Sequence, residues 1–281
     1  MLYILSLILN IFISYSYSVT IKPINIFSFP FDSGSNFKGS ALAPDSIVPK
    51  LNFLNIKNKY KVGIINTRNQ VRKNLYNGYL LLSNLLNINE IALNIGGDHT
   101  IAIPTIFASN DFCIKNNETL GVLWCDAHAD FNTMYTSETK NLHGMPVAVL
   151  CGHTLNFLQY SKNILNPSQF AYYGLRDIDF SEYERCKHYK MKALQNIDII
   201  KQWISKYDRI HLSFDLDSID PNVFYAVNTP VDYGLNKQDV IDLFKLLKNS
   251  NKLISIDIVE YNPIIKNDDQ FIIDILSELI N

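Results

Sequence analysis

The sequence of 281 residues has few cysteines and no cluster of basic residues, and both absences exclude classes of protein. Its four cysteines are spaced neither like zinc ligands nor like the bridges of a disulfide-rich domain. Its 25 basic and 27 acidic residues leave a formal charge of −2, so a nucleic acid partner has no electrostatic support. No repeat, long linker or low-complexity tract follows residue 20, which indicates one globular domain.

Charged side chains are also absent from the first eighteen residues, Met1 to Ser18. Their apolar stretch, Leu2 to Ile13, is too short to span a bilayer but suits the apolar region of a secretory signal. Ser16 and Ser18 supply the small residues expected before a cleavage site, although no basic residue precedes the apolar stretch. We predict that residues 1–18 form a leader removed during export. The alternatives are an extra buried strand or an unprocessed extension of a cytoplasmic protein.

The rest of the chain contains apolar runs of four to seven residues that predict buried strands. They are nearly continuous rather than alternating, as in parallel strands covered on both faces. Helix-like stretches lie between them, including 68–86 and 237–248, the second preceded by Asn236 as a fair N-cap. The alternation predicts an α/β fold with a doubly wound, mostly parallel sheet and helices on both faces. The predicted strands are 24–29, 91–95, 122–125, 171–175, 210–214 and 253–259.

Polar clusters follow five of these predicted strands at the points where the strands end. The carboxyl ends of parallel strands share one edge of an open sheet, where ligands bind. Segments that are distant in sequence are therefore expected to meet at one site. The clusters are Gly96 to His99, Asp126 to Asp130, Arg176 to Asp179, Asp215 to Asp220 and Glu260.

Two of these clusters have the spacing of metal ligands. Asp126, His128 and Asp130 alternate with alanines, so that in extended chain all three side chains face the same way. Asp215 and Asp217 repeat this spacing, and His99 adds a second imidazole. Carboxylate and imidazole ligands favour manganese over the metals that prefer thiolates. A pair of such ions about 3.5–4 Å apart activates water as a nucleophile.

These motifs resemble those of the ureohydrolase family and, within it, of the arginases. The likeness covers almost everything after the apolar leader and implies that residues 19–281 form one catalytic domain with a three-layer αβα architecture. The matching segments are Gly-Gly-Asp-His (96–99), Trp-Cys-Asp-Ala-His-Ala-Asp-Phe-Asn-Thr (124–133), Asn-Leu-His-Gly-Met-Pro-Val (141–147), Gly-Leu-Arg-Asp-Ile-Asp (174–179), Ser-Phe-Asp-Leu-Asp-Ser-Ile-Asp-Pro (213–221), Asn-Thr-Pro-Val (228–231) and Asp-Ile-Val-Glu-Tyr-Asn-Pro (257–263).

The resemblance implies two Mn²⁺ ions and hydrolysis of L-arginine to L-ornithine and urea, through attack of a metal-bridging hydroxide on the guanidinium carbon. Glu260 is expected to pair with the guanidinium, His143 to handle protons, and Asp130 to hydrogen-bond to the nucleophile as well as to bind metal. The implied ligands of one ion are His99, Asp126, Asp130 and Asp215. Those of the other are His128, Asp126, Asp215 and Asp217.

The resemblance also implies residues that recognise the amino-acid end of the substrate. Asn132, Thr139 and Asn141 match positions that contact the α-carboxylate, Asp179 matches one that contacts the α-amino group, and Thr229 matches a further pocket position. Thr139 replaces a more usual serine, and the next residue, Lys140, replaces a usual glycine. The lysine places a cation beside the pocket mouth, where it either holds a carboxylate or repels the α-ammonium group.

Three readings follow from this resemblance. The first is a manganese arginase, the second a ureohydrolase acting on agmatine or another guanidino compound, and the third a non-catalytic arginine-binding protein. Family members are typically trimers joined by a C-terminal tail. Only 18 residues follow Pro263 here, which leaves a homo-oligomer in doubt.

Overall fold

The computed structural model of the protein describes residues 21–64 and 70–280. The predicted leader, residues 1–18, lies outside these ranges, and its removal during export stays a prediction. Within the described ranges, every helix is too short or too polar to cross a membrane.

The described residues form one sheet of eight parallel strands. The prediction of a parallel α/β sheet is thus confirmed. In spatial order the strands run β2-β1-β3-β8-β7-β4-β5-β6. Along the chain they are β1 (Ile24–Ser28), β2 (Ile56–Lys61), β3 (Ile91–Ile95), β4 (Leu120–Cys125), β5 (Phe170–Tyr173), β6 (Lys192–Leu194), β7 (Arg209–Asp215) and β8 (Leu253–Val259).

Helices cover both faces of this sheet, as the apolar runs predict. Side chains of α1, α6, α7 and α8 pack in the apolar cluster on one face, and those of α2, α3, α4 and α5 in the cluster on the other. Asn236 caps α7 by accepting from the backbone N–H groups of Gln238 and Asp239. The helices are α1 (Ala43–Ile47), α2 (Val71–Leu85), α3 (Ala102–Lys115), α4 (Pro146–Leu150), α5 (Phe180–His188), α6 (Ile197–Ile204), α7 (Lys237–Ser250) and α8 (Asp269–Ser277).

The five strands that precede polar clusters are neighbours in the sheet, in the order β3-β8-β7-β4-β5. Their carboxyl ends therefore form one continuous edge. This order brings segments from residue 96 to residue 260 together, as the position of the clusters predicts.

A buried carboxylate at the start of α8 connects this helix with α1 and with the residue that follows Glu260. Asp269, the first residue of α8, accepts hydrogen bonds from Ser46 of α1 at 2.9 Å and from the Tyr261 hydroxyl at 2.6 Å, and it pairs with Lys50. Burial alone would raise the pKa of Asp269, but the hydrogen bonds from Lys50, Tyr261 and Ser46 outweigh it and hold this pKa below its usual value. Because Tyr261 follows Glu260, this carboxylate also steadies the end of β8.

Asp269→Asn is expected to lower the free energy of unfolding by about 1.5–3 kcal/mol at pH 7, the usual worth of hydrogen bonds to a charged group. A depressed pKa contributes stability that is present above the unfolded-state value of about 3.9 and is lost as pH falls. The difference between variant and wild type should therefore shrink from pH 5 to pH 3 in urea denaturation. Asp274→Asn, which alters a more exposed pair with Lys237, is the control and should cost under about 1 kcal/mol. A difference independent of pH would contradict the assignment.

Candidate metal and substrate site

The first group of predicted ligands surrounds the His99 imidazole, which is 1% exposed. Its Nδ1 lies 3.0 Å from Asp126 Oδ2, 3.2 Å from Asp130 Oδ2 and 3.1 Å from Asp215 Oδ2. Its Nε2 lies 2.8 Å from Ser213 Oγ on β7, which orients the ring so that Nδ1 faces the carboxylates. One ring nitrogen carries at most one proton, yet three carboxylate oxygens converge on it.

The second group lies beside the first and shares Asp126 with it. His128 Nδ1 is 3.0 Å from Asp217 Oδ2 and 3.4 Å from Asp126 Oδ1. The two oxygens of Asp126 thus face different imidazoles. Ligand atoms from His99, Asp126 and Asp130, and from Asp126, His128 and Asp217, lie close enough to bind one ion each. The structure thus brings all six predicted metal ligands together.

The charges of these buried side chains favour bound cations over a site without metal ions. Burial raises the pKa of the Asp130 carboxyl, and the Asp126 carboxylate raises it further, to about 6. Burial and the Asp217 and Asp126 carboxylates hold the pKa of Asp215 well above its usual value. Buried like charges at such spacing are costly unless a counter-charge lies among them. The donor set, four carboxylates and two imidazoles, suits hard divalent ions.

The backbone is strained at one metal ligand, Asp130, and at Glu260, the residue expected to pair with the guanidinium. Asp130 has φ of 48° and Glu260 has φ of 65°, both in the left-handed region that residues other than glycine rarely adopt. Such strain persists only where surrounding contacts hold it, and it concentrates at functional sites. Here Asp130 is fixed by its carbonyl, which accepts from Val147 N–H at 3.0 Å, and Glu260 by its N–H, which donates to the Gly97 carbonyl at 2.8 Å.

Glu260 and His143 form a buried pair next to the first ligand group. Glu260 Oε1 accepts from the backbone N–H of His99 at 2.8 Å and lies 3.0 Å from His143 Nδ1. Its Oε2 is buried and has no hydrogen-bond partner among the described residues. Burial alone would lower the pKa of His143, but the Glu260 carboxylate raises it to about 9. The pair therefore offers an unsatisfied acceptor and a protonated imidazole to the same cavity.

A cavity of about 340 Å³ connects these groups with most of the predicted substrate positions. Asn132, Thr139, Asp179 and Thr229 line it together with His143, Glu260 and five of the six predicted metal ligands, all except Asp126. Asn132 Nδ2 donates to Asp179 Oδ2 at 2.7 Å, and Thr229 Oγ1 donates to Asp217 Oδ2 at 3.3 Å. Asn141 is not in this lining and instead lines a neighbouring cavity beyond Thr139, so its substrate contact stays a prediction.

Comparison with known proteins agrees with this arrangement. A sequence model of the arginase family matches residues 22–280. The chain belongs to the arginase family. It is 34% identical over 228 residues to an arginase of Entamoeba histolytica, a match that covers 75% of this chain and 76% of that protein. It is also 34% identical over 206 residues to an arginase of Saccharomyces cerevisiae, covering 66% of this chain and 61% of that protein.

Solved structures give the same result for this member of the arginase family. The fold superposes on E. histolytica arginase, solved in complex with L-ornithine, with a TM-score of 0.86 at 28% identity, covering 93% of this chain and 99% of that one. The TM-score with Bacillus subtilis arginase is 0.83 at 27% identity, covering 92% and 99%. The family places the chain among metal-dependent hydrolases.

Four acidic or hydroxyl residues of this arginase-family site were not predicted from the sequence. The four are Ser137, Glu138, Asp177 and Glu182, which also line the cavity. Asp177 Oδ2 lies 3.5 Å from His128 Nε2. Glu182 is buried, and burial together with the Asp130 carboxylate raises its pKa to about 8. Asp177 lies inside the Gly-Leu-Arg-Asp-Ile-Asp motif, residues 174–179. Glu182 lies three residues after Asp179. This spacing is typical of an N-cap and the first turn of one helix, and it could have placed both side chains near the same site.

Lys140 replaces a usual glycine, and its backbone adopts a conformation that favours glycine. Its φ is 58°, in the left-handed region where glycine has no steric penalty. Its Nζ donates to the Met134 carbonyl at 2.7 Å, so the cation is bound to its own loop. In this structure the ammonium group therefore closes the 134–140 loop.

Trp124 contacts two of the predicted metal ligands, Asp126 and His99. Its indole N–H donates to Asp126 Oδ2 at 2.9 Å, and its ring stacks on His99 with centroids 4.2 Å apart. Trp124→Phe keeps a ring but loses the donor, so we expect metal affinity to fall about 10–100-fold, as when such outer contacts are removed. Calorimetric titration of the metal-free protein with Mn²⁺ measures this. Trp203→Phe, which alters a buried tryptophan on α6, is the matched control and should leave the affinity unchanged.

Proposed function

We propose that this protein hydrolyses L-arginine to L-ornithine and urea with two bound Mn²⁺ ions. The proposal is carried by two ligand groups that share Asp126 and by a Glu260 oxygen, beside them, that has no partner in the described part of the chain. Membership of the arginase family and similarity to an arginase that binds L-ornithine support the choice of substrate.

One ion would be held by His99, Asp126, Asp130 and Asp215, and the other by His128, Asp217 and the same two shared carboxylates, Asp126 and Asp215. When bound, such a pair lowers the pKa of a shared water towards neutrality. Manganese suits these ligands because carboxylates and imidazoles, without thiolates, are its usual donors. Since His99 and His128 must be neutral to bind an ion, metal loading is expected to release protons.

The chain's own residues prepare the substrate for attack. Guanidinium is always protonated and presents a planar fork of donors. Burial would raise the pKa of Glu260, but the hydrogen bond with His143 outweighs it and lowers that pKa, so the carboxylate is ionised. Its free oxygen, buried with no partner among the described residues, matches one branch of that fork. Glu260 would thereby hold the guanidinium plane beside the ligand groups.

His143 is the group placed to supply a proton. Hydrolysis forms a bond between a water oxygen and the guanidinium carbon, and it breaks the bond from that carbon to the side-chain nitrogen. The departing nitrogen must gain a proton to leave as the ornithine amine. With its pKa raised to about 9, the His143 imidazole is protonated at neutral pH and can act as that acid.

The amino-acid end of the substrate would lie between two loops. Asn132 and Thr139 belong to the loop after β4, and Asp179 to the loop after β5. Asn132 Nδ2, which donates to Asp179 Oδ2 at 2.7 Å, and the Thr139 hydroxyl are donors of the kind that an α-carboxylate needs, and the Asp179 carboxyl group suits an α-ammonium group. A substrate that carries both a carboxylate and an amino group fits this pairing better than one that carries an amine alone.

Urea release from a substrate panel, measured with and without Mn²⁺ loading, tests the proposal. L-arginine should be the best substrate, and metal analysis should find near two manganese ions per chain. Activity only with agmatine or guanidinobutyrate would show a different ureohydrolase. Absence of bound metal after reconstitution, with no activity, would show a non-catalytic protein.

A further inference from the structure

Helix α5 holds the backbone of Phe131, a fully buried residue between Asp130 and Asn132. The Phe131 N–H donates to Glu182 Oε1 at 2.9 Å, and its carbonyl accepts from Arg185 Nε at 3.0 Å. Glu182 and Arg185 are one helical turn apart, so both peptide groups of Phe131 are bound from the same helix. We call these two contacts the α5 clamp.

Arg185 is itself held in place by aromatic and imidazole groups. Its guanidinium carbon lies 4.5 Å above the Phe131 ring, and its Nη2 lies 2.9 Å from His153 Nδ1. Burial and the Arg185 charge lower the pKa of His153, which keeps this imidazole neutral and able to accept. Tyr189 packs against both rings, with centroids 4.8 Å from His153 and 5.7 Å from Phe131. The guanidinium therefore has little freedom to leave the Phe131 carbonyl.

The position of the clamp connects it with substrate recognition. The carbonyl that Arg185 binds belongs to the peptide group that leads into Asn132. The same helix is capped by Asp179, whose Oδ1 accepts from the Glu182 N–H at 2.8 Å and whose Oδ2 accepts from Asn132 Nδ2. Thus α5 fixes both Asn132, through its backbone, and Asp179, through its cap. These are the side chains to which the amino-acid end of arginine is assigned under the proposed function.

We propose that Arg185, oriented by His153, is a positioning residue that sets the selectivity for substrates with an α-carboxylate. It acts through the Phe131 carbonyl on Asn132 and does not touch the substrate. This inference rests on the proposed function only for the identity of the substrate. Misplacing a binding group by about 1 Å is enough to lose such selectivity.

The test compares ligands that differ only in the carboxylate. Arg185→Met keeps side-chain length but removes both donors, and Arg185→Lys keeps the charge and one donor. The dissociation constants of L-ornithine and putrescine are measured by calorimetry on the Mn²⁺-loaded protein, and kcat and KM for L-arginine and agmatine by urea release. Lys187→Met, on the exposed face of the same helix, is the matched control.

In Arg185→Met we expect KM for L-arginine and the dissociation constant of L-ornithine to rise about tenfold. The kcat value should change less than threefold, and putrescine and agmatine should be nearly unaffected. Arg185→Lys should recover part of the selectivity, and His153→Phe should lose a smaller part of it. Lys187→Met should match the wild type.

Equal loss for both members of each ligand pair, or a fall in thermal stability with unchanged selectivity, would show that Arg185 is structural only and would overturn the inference. Wild-type protein that prefers L-ornithine over putrescine but hydrolyses no arginine would overturn the proposed function, while the clamp would still be judged by binding. Wild-type protein without that preference would overturn the clamp's role as well.

Discussion

Asp126→Asn is expected to lower kcat/KM for L-arginine by at least about 10³-fold. Loss of an ion that stabilises transition-state charge removes several kcal/mol, and each 1.36 kcal/mol is tenfold in rate. Asp126 belongs to both ligand groups, with its Oδ2 3.0 Å from His99 Nδ1 and its Oδ1 3.4 Å from His128 Nδ1. A single substitution at this position therefore weakens both metal sites.

The substitution also replaces one of the two hydrogen-bond acceptors of Asp126 with a donor. An asparagine amide has one oxygen acceptor, and its nitrogen can only donate. Asp126 accepts from Trp124 Nε1 at one oxygen and from the His128 N–H at the other, so either orientation of the amide opposes a donor to a donor. Bound manganese should fall from near two ions per chain to one or fewer.

Metal analysis and initial rates of urea release, on the same preparation, measure these effects. Asp208→Asn is the control, because Asp208 is an exposed carboxylate that accepts from Thr119 before β4, at the opposite end of the strands. It should keep full activity and metal. An Asp126→Asn protein with two ions and more than a tenth of wild-type activity would contradict the shared-ligand assignment.

The interior strands could be predicted from sequence because they are buried on both faces. β3, Ile91–Ile95, and β8, Leu253–Val259, are buried along their whole length, and the apolar runs have the same bounds. The two edge strands were not predicted. β2, Ile56–Lys61, carries three lysines and is largely exposed, and β6, Lys192–Leu194, has only three residues. Edge strands tend to be short or charged, which removes the apolar signal.

The metal ligands could be predicted because each cluster is short and follows its own strand. The contacts that position these ligands could not be predicted from the sequence. In the sequence, Trp124 is one more apolar residue of a predicted strand. Its hydrogen bond to Asp126 depends on the orientation of the indole ring, which the sequence pattern does not give. Arg185 meets the Phe131 carbonyl only because α5 packs beside the loop after β4. Such contacts depend on the placement of whole elements, which periodicity does not encode.

Glu260→Gln is expected to lower kcat/KM for L-arginine by about 10³-fold while leaving the metal content near two ions per chain. Glu260 is 2% exposed, and its ionised carboxylate has one oxygen without a partner among the described residues. Removing one partner of a buried, hydrogen-bonded charge pair costs about 2–5 kcal/mol, and every 1.4 kcal/mol is tenfold. The substrate guanidinium would then be buried without its counter-charge.

Glutamine keeps the shape of the side chain but not its acceptors. Its oxygen can still accept from the His99 N–H, as Glu260 Oε1 does at 2.8 Å, so the ligand loop should stay in place. Its amide nitrogen then takes the position of Oε2 and meets guanidinium donors with donors of its own. Glu278→Gln, which removes a carboxylate paired with Lys245 on α7, is the matched control and should be fully active. A Glu260→Gln enzyme within threefold of wild type would mean that another group binds the guanidinium, whereas loss of manganese would mean that Glu260 acts by holding the His99 loop.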